Sequence, residues 1–247
     1  MVIRLDRSVR RRFTVAVVFL TWLILVRGAA ELYGLTLPAA GGPQPVRSAG
    51  TRRPAVALTF NITWGDQVPP AILKSLAEHG VPATFFVAGP WAEAHPEVLQ
   101  ALVEAGHEVG TSGARNLDLT QFNPEDLEGE LQAAVAALAD AAGVRTLYFR
   151  PPGGSYDDRV LQTAAELGLV TVLWDVDSRD WLQPGPEQIA AQVLRSVQPG
   201  SIILLHAGDT NTQTVRALPS IIKGLRERDL AMVTLTELLR PPAEEDR

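Results

Sequence analysis

The sequence predicts an α/β fold built on a parallel sheet. Strand and helix signals alternate over nearly all of residues 54–239, the pattern of repeated βα units. Helical stretches stop at Gly80, Gly106 and Gly143, since glycine enters the left-handed region that closes a helix without steric cost. Polar residues directly follow apolar strand runs, above all His206 after 202–205. The C-terminal ends of barrel strands are where sites are built.

Taken in order, residues 56–61 are expected as a strand and 71–79 as a helix stopped by Gly80. Residues 83–87 form a strand, and 96–105 a helix stopped by Gly106. A short strand at 108–111 precedes a helix at 124–142, with Asn123 as its N-cap and Gly143 past its end. Strands at 148–150, 170–174 and 202–206 are separated by helices near 157–167 and 186–197. A helix at 214–228 and a strand at 231–235 complete seven strand signals, with no internal repeat.

The 247 residues, 46% hydrophobic and 20% charged, suffice for one large core. A net charge of −6 argues against nucleic acid as a partner, because phosphate recognition needs a basic footprint. With no cysteine there is neither a disulfide framework, nor a thiolate metal site, nor a cysteine nucleophile.

Arg4, Arg7, Arg10, Arg11 and Arg12 precede an apolar run at 13–26, closed by Arg27, as in an export signal. As a helix this run spans roughly 21 Å, short of the ~30 Å bilayer core. Ala29-Ala30 and Ala39-Ala40 are weak cleavage sites, so a signal peptide and an uncleaved signal-anchor both stand open at 1–30. Positive flanks stay inside, so the membrane is an expected partner of this segment and the folded part is expected outside the cytoplasm, anchored or secreted. Residues 31–53, rich in Pro, Gly, Ala and Arg, read as a flexible tether. Residues 54–240 are the domain and 241–247 a polar tail.

Five segments carry the chemistry. They are Ala57-Leu-Thr-Phe-Asn-Ile-Thr-Trp-Gly-Asp66, Gly106-His-Glu-Val-Gly-Thr-Ser-Gly-Ala-Arg-Asn116, Phe149-Arg-Pro-Pro-Gly153, Asp177-Ser-Arg-Asp-Trp181 and Leu204-Leu-His206. In this order the chain resembles the polysaccharide deacetylase family, the NodB-homology domain of carbohydrate esterase family 4. The first motif follows a branch similar to sporulation-associated deacetylases, and ordered multiple motifs are far more specific than one. The resemblance implies a distorted (β/α)7-type barrel that removes N-acetyl groups from sugars. A divalent metal held by one Asp and two His activates a water there.

The resemblance also exposes departures. Asn61 stands at the family's base position, and an amide does not titrate. Ile62, Ser112 and Asn116 occupy the metal-ligand positions. Ser112 and Asn116 keep the four-residue spacing of the two histidines, which would place them on one face of a turn or helix. A hydroxyl and an amide are poor donors to zinc or cobalt, and calcium wants six to eight oxygens, several of them carboxylates. No cofactor is therefore expected, unless a rewired site binds zinc or cobalt. The frame persists: Arg150 matches the arginine that orients the base, and Asp180 the residue that tunes the acid histidine. His206 matches that acid, with Leu205 beside it, and Trp181 lines the acetyl pocket. Pro152, Tyr156 and Trp64 are candidate groove walls.

Several residues have plainer readings. Asp66 precedes the helix that begins near Pro69 and reads as its N-cap in preference to a replacement ligand. His107 reads as a satisfied buried histidine, His79 as a helix-end residue near the dipole, and His95 as a helix entrance before Pro96. Asp175 and Asp177 read as part of a solvated loop, although a cation site is the alternative. The leading expectation is a non-catalytic relative that binds N-acetylated glycan of the cell envelope. An active hydrolase with a rewired mechanism through Asp66 or an acid of 175–180, and a scaffold in envelope or spore assembly, are the alternatives. Fold alone does not choose among them.

Overall fold

The computed structural model describes residues 42–51 and 53–240. The expected export segment, the first part of the tether and the polar tail lie outside the described residues. Among the described residues, no helix is long and apolar enough to cross a membrane.

The elements in chain order are β1 Ala55–Ile62, α1 Val68–His79, β2 Thr84–Val87, α2 Gly89–Ala94, α3 Pro96–Glu104 and β3 Glu108–Thr111. They continue with α4 Pro124–Ala142, β4 Tyr148–Phe149, α5 Asp158–Glu166, β5 Val170–Thr171 and β6 Val176–Asp177. The last are α6 Pro186–Ser196, β7 Ile202–His206, α7 Thr212–Arg226, β8 Ala231–Met232 and α8 Leu235–Leu239. All strand pairs are parallel, in the order β5-β4-β3-β2-β1-β7-β6, with β8 on β1. The sheet curls into the expected α/β barrel, with β5 and β6 at its two ends.

Side-chain alternation along β1 separates two sides of this sheet. Val56, Leu58, Phe60 and Ile62 pack with helix residues such as Ile72, Leu76, Ile189 and Ile221. Ala55 and Ala57 pack on the other side with Phe86, Tyr148, Val172 and Ile202, closed by Leu235 and Leu238 of α8. Thr59 and Asn61 continue that inner row toward the C-terminal end of the strand.

The structure corrects several expectations. The last strand ends at Met232, because Thr234 caps a new helix by accepting the Glu237 N–H at 3.3 Å. β6 lies inside the run read as an acidic loop, and α2 was unforeseen because its six residues start at Gly89 and Pro90. The described part of the presumed tether is sheet-bound. Val46 pairs with Val172 and Ser48 with Ser201, so the folded unit begins before Val46. Asp66 does not cap α1. Its N-cap position is Gln67, whose side chain makes no capping bond. Asp209 does the capping from the β7–α7 loop, accepting the N–H groups of Asp66, Gln67 and Val68 at 3.2, 2.9 and 3.0 Å. Asn123 and Gly143 cap α4 as expected.

Candidate functional site

Register brings the candidate residues together at the C-terminal edge of the sheet. β1 and β7 pair so that Asn61 lies opposite His206. Thr111 pairs with Phe149, and the Arg150 N–H donates to the Thr111 carbonyl at 2.9 Å. Arg150 therefore enters the inner side of the barrel just past β4.

The Arg150 side chain is fully buried. Its Nη1 donates to Asn61 Oδ1 at 3.0 Å, and its Nη2 to Thr59 Oγ1 at 2.9 Å and the Leu173 carbonyl at 3.0 Å. Nε donates to the Val172 carbonyl at 3.3 Å. The guanidinium carbon lies 3.9 Å from the centroid of Phe86 and 5.6 Å from that of Trp174. Every one of these acceptors is neutral. Burial without a counter-charge pulls the guanidinium pKa down to about 9, which still leaves it cationic at neutral pH. With Oδ1 turned to Arg150, the Asn61 amide is oriented with its NH₂ group facing away from the arginine.

The second half of the site is an Asp–His pair. Asp180, almost fully buried, accepts from His206 Nδ1 at 2.7 Å. Its other oxygen accepts the His206 backbone N–H and the Thr214 hydroxyl, both at 2.7 Å. Three bonds fix this carboxylate, and it in turn holds the imidazole with Nδ1–H inward and Nε2 outward. The His206 side chain is 26% exposed, so Nε2 is accessible to a ligand.

The three residues expected at metal-ligand positions do not fit a metal. Ile62 is completely buried on the helix-facing side. Ser112 is buried, while Asn116 is exposed and left-handed at φ 52°. No helix carries the pair, contrary to one form of the expectation. The loop between them is fixed by Glu130 of α4, which accepts the Arg115 N–H and Nε–H at 2.6 Å each. Among the described residues, no group of three or more His, Asp or Glu side chains is placed to hold an ion.

The walls divide into exposed and buried residues. Trp181 and Leu182 are 56% exposed and Trp64 is 49% exposed. Leu205 is a correction: it is fully buried among helix-facing residues and offers a ligand no surface. Tyr156 is half-buried, packs on the Phe149 cluster and accepts from Arg47 Nη2 at 3.2 Å. Pro152 is half-buried. Gly154, at φ 73°, lies where a Cβ would come within 2.8 Å of Trp174, so the turn after Arg150 needs glycine there.

Other candidates are structural. Asp175 accepts from Ser201 Oγ at 2.8 Å and from the Ile202 N–H at 2.7 Å, and Asp177 accepts the Arg179 N–H at 2.8 Å. His107 Nδ1 accepts the Ala83 N–H at 3.1 Å, and burial lowers its pKa. His79 bonds the Ser75 carbonyl, and His95 ends α2 and opens α3. Sequence reasoning missed Thr59, Trp174, Thr214, Glu130 and Asp209. Only Thr59 carried a signal, two residues before Asn61 on the same strand face.

A curled parallel sheet with an Asp–His pair and a buried arginine at its strand ends defines an α/β barrel with a polar site at its C-terminal edge. The profile of the polysaccharide deacetylase family matches residues 48–172, and the chain belongs to that family. It is 40% identical over 206 residues to a chitooligosaccharide deacetylase of Sinorhizobium fredii, covering 78% of this chain and 95% of the relative. It is 35% identical over 188 residues to a peptidoglycan-N-acetylglucosamine deacetylase of Bacillus cereus, covering 75% and 88%. Among solved structures, a CE4 family pseudoenzyme from Bacillus anthracis superposes with a TM-score of 0.76 at 30% identity, over 81% of this chain and 70% of that one. A mutant of that pseudoenzyme is described as having restored enzymatic activity.

Proposed function

We propose that this protein is an extracytoplasmic, glycan-binding member of its family that no longer deacetylates. The observation that carries the reading is the Arg150–Asn61 bond. Where a base should take a proton from water, an amide is locked by a buried guanidinium and has no basicity to offer. Arg150 positions Asn61, the Asp180–His206 pair presents Nε2 to a ligand, and Trp181 and Trp64 supply sugar-stacking faces. The pseudoenzyme relative supports the same reading, and the deacetylase relatives indicate N-acetylated glycan as the class of ligand.

The test is deacetylation of N-acetylglucosamine oligomers and peptidoglycan, with zinc, cobalt and a chelator compared. A triple variant, Asn61→Asp with Ser112→His and Asn116→His, calibrates the assay. The native chain is expected to show no turnover but to bind oligomers, and Trp181→Ala to abolish that binding. Chelator-sensitive turnover by the native chain would overturn the reading, as would equal binding by the Trp181→Ala form.

A further inference from the structure

Beside the proposed groove, helix α6 carries a polar face of its own. Ile189, Ala190 and Val193 enter the core, while Gln188, Ala191, Gln192 and Arg195 follow the i, i+3, i+4, i+7 spacing of a different stripe. An open cavity of about 380 Å³ lies between that stripe and the loop at 178–184, with Ser178, Arg179, Leu182 and Pro184 on its loop side.

The lining holds two arginines and no carboxylate. Among the described residues, neither guanidinium lies in an ion pair. Arg195 bonds the Gln192 side chain, and Gln192 also reaches the Asp177 carbonyl at 3.3 Å. Arg179 and Gln183 have φ values of 56° and 51°, left-handed conformations that non-glycine residues keep only where their surroundings impose them. They bracket the turn Asp180–Leu182. Within that turn Asp180 holds His206, Trp181 is exposed, and Leu182 lines the cavity. One loop therefore serves both the cavity and the Asp–His pair.

We infer that this cavity is a subsite for an anionic sugar, one bearing a carboxylate or a phosphate. Guanidinium groups take such oxygens in a bidentate fork, glutamine amides match ring hydroxyls as both donors and acceptors, and Leu182 and Pro184 cover an apolar sugar face. The inference extends the glycan reading of the neighbouring groove by assigning it a charged unit alongside the N-acetylated ones.

Titration of the full chain with glucuronate, glucosamine 6-phosphate, N-acetylglucosamine and chitotetraose tests it. One or both anionic sugars are expected to saturate at least tenfold more tightly than N-acetylglucosamine, weakening with salt, and which of them does so identifies the anion. The double variant Arg179→Gln, Arg195→Gln is expected to lose that binding at least tenfold while keeping its affinity for chitotetraose. Equal affinity for charged and neutral monosaccharides overturns the inference, and so does anionic binding that survives the double change. If the anionic sugars behave as expected and chitotetraose does not bind, the groove reading fails and the cavity stands. If chitotetraose binds and no anionic sugar saturates, the reverse holds.

Discussion

The buried guanidinium of Arg150 donates to the amide oxygen of Asn61 at 3.0 Å, so a full positive charge at the barrel's inner edge rests on neutral acceptors alone. A carboxylate at position 61 would replace a neutral hydrogen bond by a charge-assisted one. Asn61→Asp is expected to stabilise the fold at neutral pH by about 1 kcal/mol, the usual difference between the two kinds of bond. The introduced carboxyl would titrate below its unfolded value beside the arginine. The gain is then fully present above the unfolded pKa and is lost as pH falls through the folded one. Urea denaturation of both forms at neutral and acidic pH measures this, and a variant less stable than wild type at neutral pH would contradict it.

Asp209 ties the β7–α7 loop to the start of α1. Burial pushes its carboxyl up, but the Val68, Gln67 and Asp66 N–H groups, with His95 nearby, outweigh that and hold it below its ordinary value. Asp209→Ala is expected to cost about 1 kcal/mol, the typical worth of an N-cap. The depressed pKa means that the carboxylate stabilises above its unfolded pKa and loses that effect as pH falls through the folded value. Wild type should therefore lose its advantage over the variant in acid, and a difference that does not change with pH would refute the capping role.

His107 shifts in the same direction for a different reason, since burial disfavours its charged form. Burial lowers its pKa from 6.5, so below that pH the unfolded chain binds a proton that the folded chain refuses. Stability is retained above 6.5 and declines as pH drops from there toward the folded value. His107→Asn keeps an acceptor near the Ala83 N–H and should flatten this part of the pH–stability curve. An unchanged slope in thermal melts across that range would exclude His107 as its cause.

Glu130 secures the loop at Ser112–Asn116 through its two bonds to Arg115. Glu130→Ala is expected to cost roughly 2–3 kcal/mol, since it leaves a buried cavity and strips charge-assisted bonds. Limited proteolysis should then cut near Arg115. Asn116→His should change stability by less than about 0.5 kcal/mol, because the position is exposed and histidine, like asparagine, is enriched in the left-handed region. Melting curves of the single variants check both figures.

How much of this was legible in advance depended on how local the cause was. The strands β3 and β7 and the helix α4, with its caps Asn123 and Gly143, rest on neighbouring residues and were readable. So was the neutral character of Asn61, Ile62, Ser112 and Asn116, because identity alone settles whether a side chain can titrate or donate to zinc. The short β6 and α2 escaped because a few residues give too little periodicity, and their shape is imposed by pairing and packing.

Sequence by itself thus determined the α/β class, the family and the neutral, non-titrating character of Asn61. Only the tertiary structure decided that Arg150 is buried against neutral partners, that Leu205 faces the helices, and that Asp209 in place of Asp66 caps α1. It also set Arg179 and Arg195 around one cavity. Asp209 and Val68 are joined across 141 positions, and such contacts depend on strand register and chain crossover, which no local pattern of residues encodes.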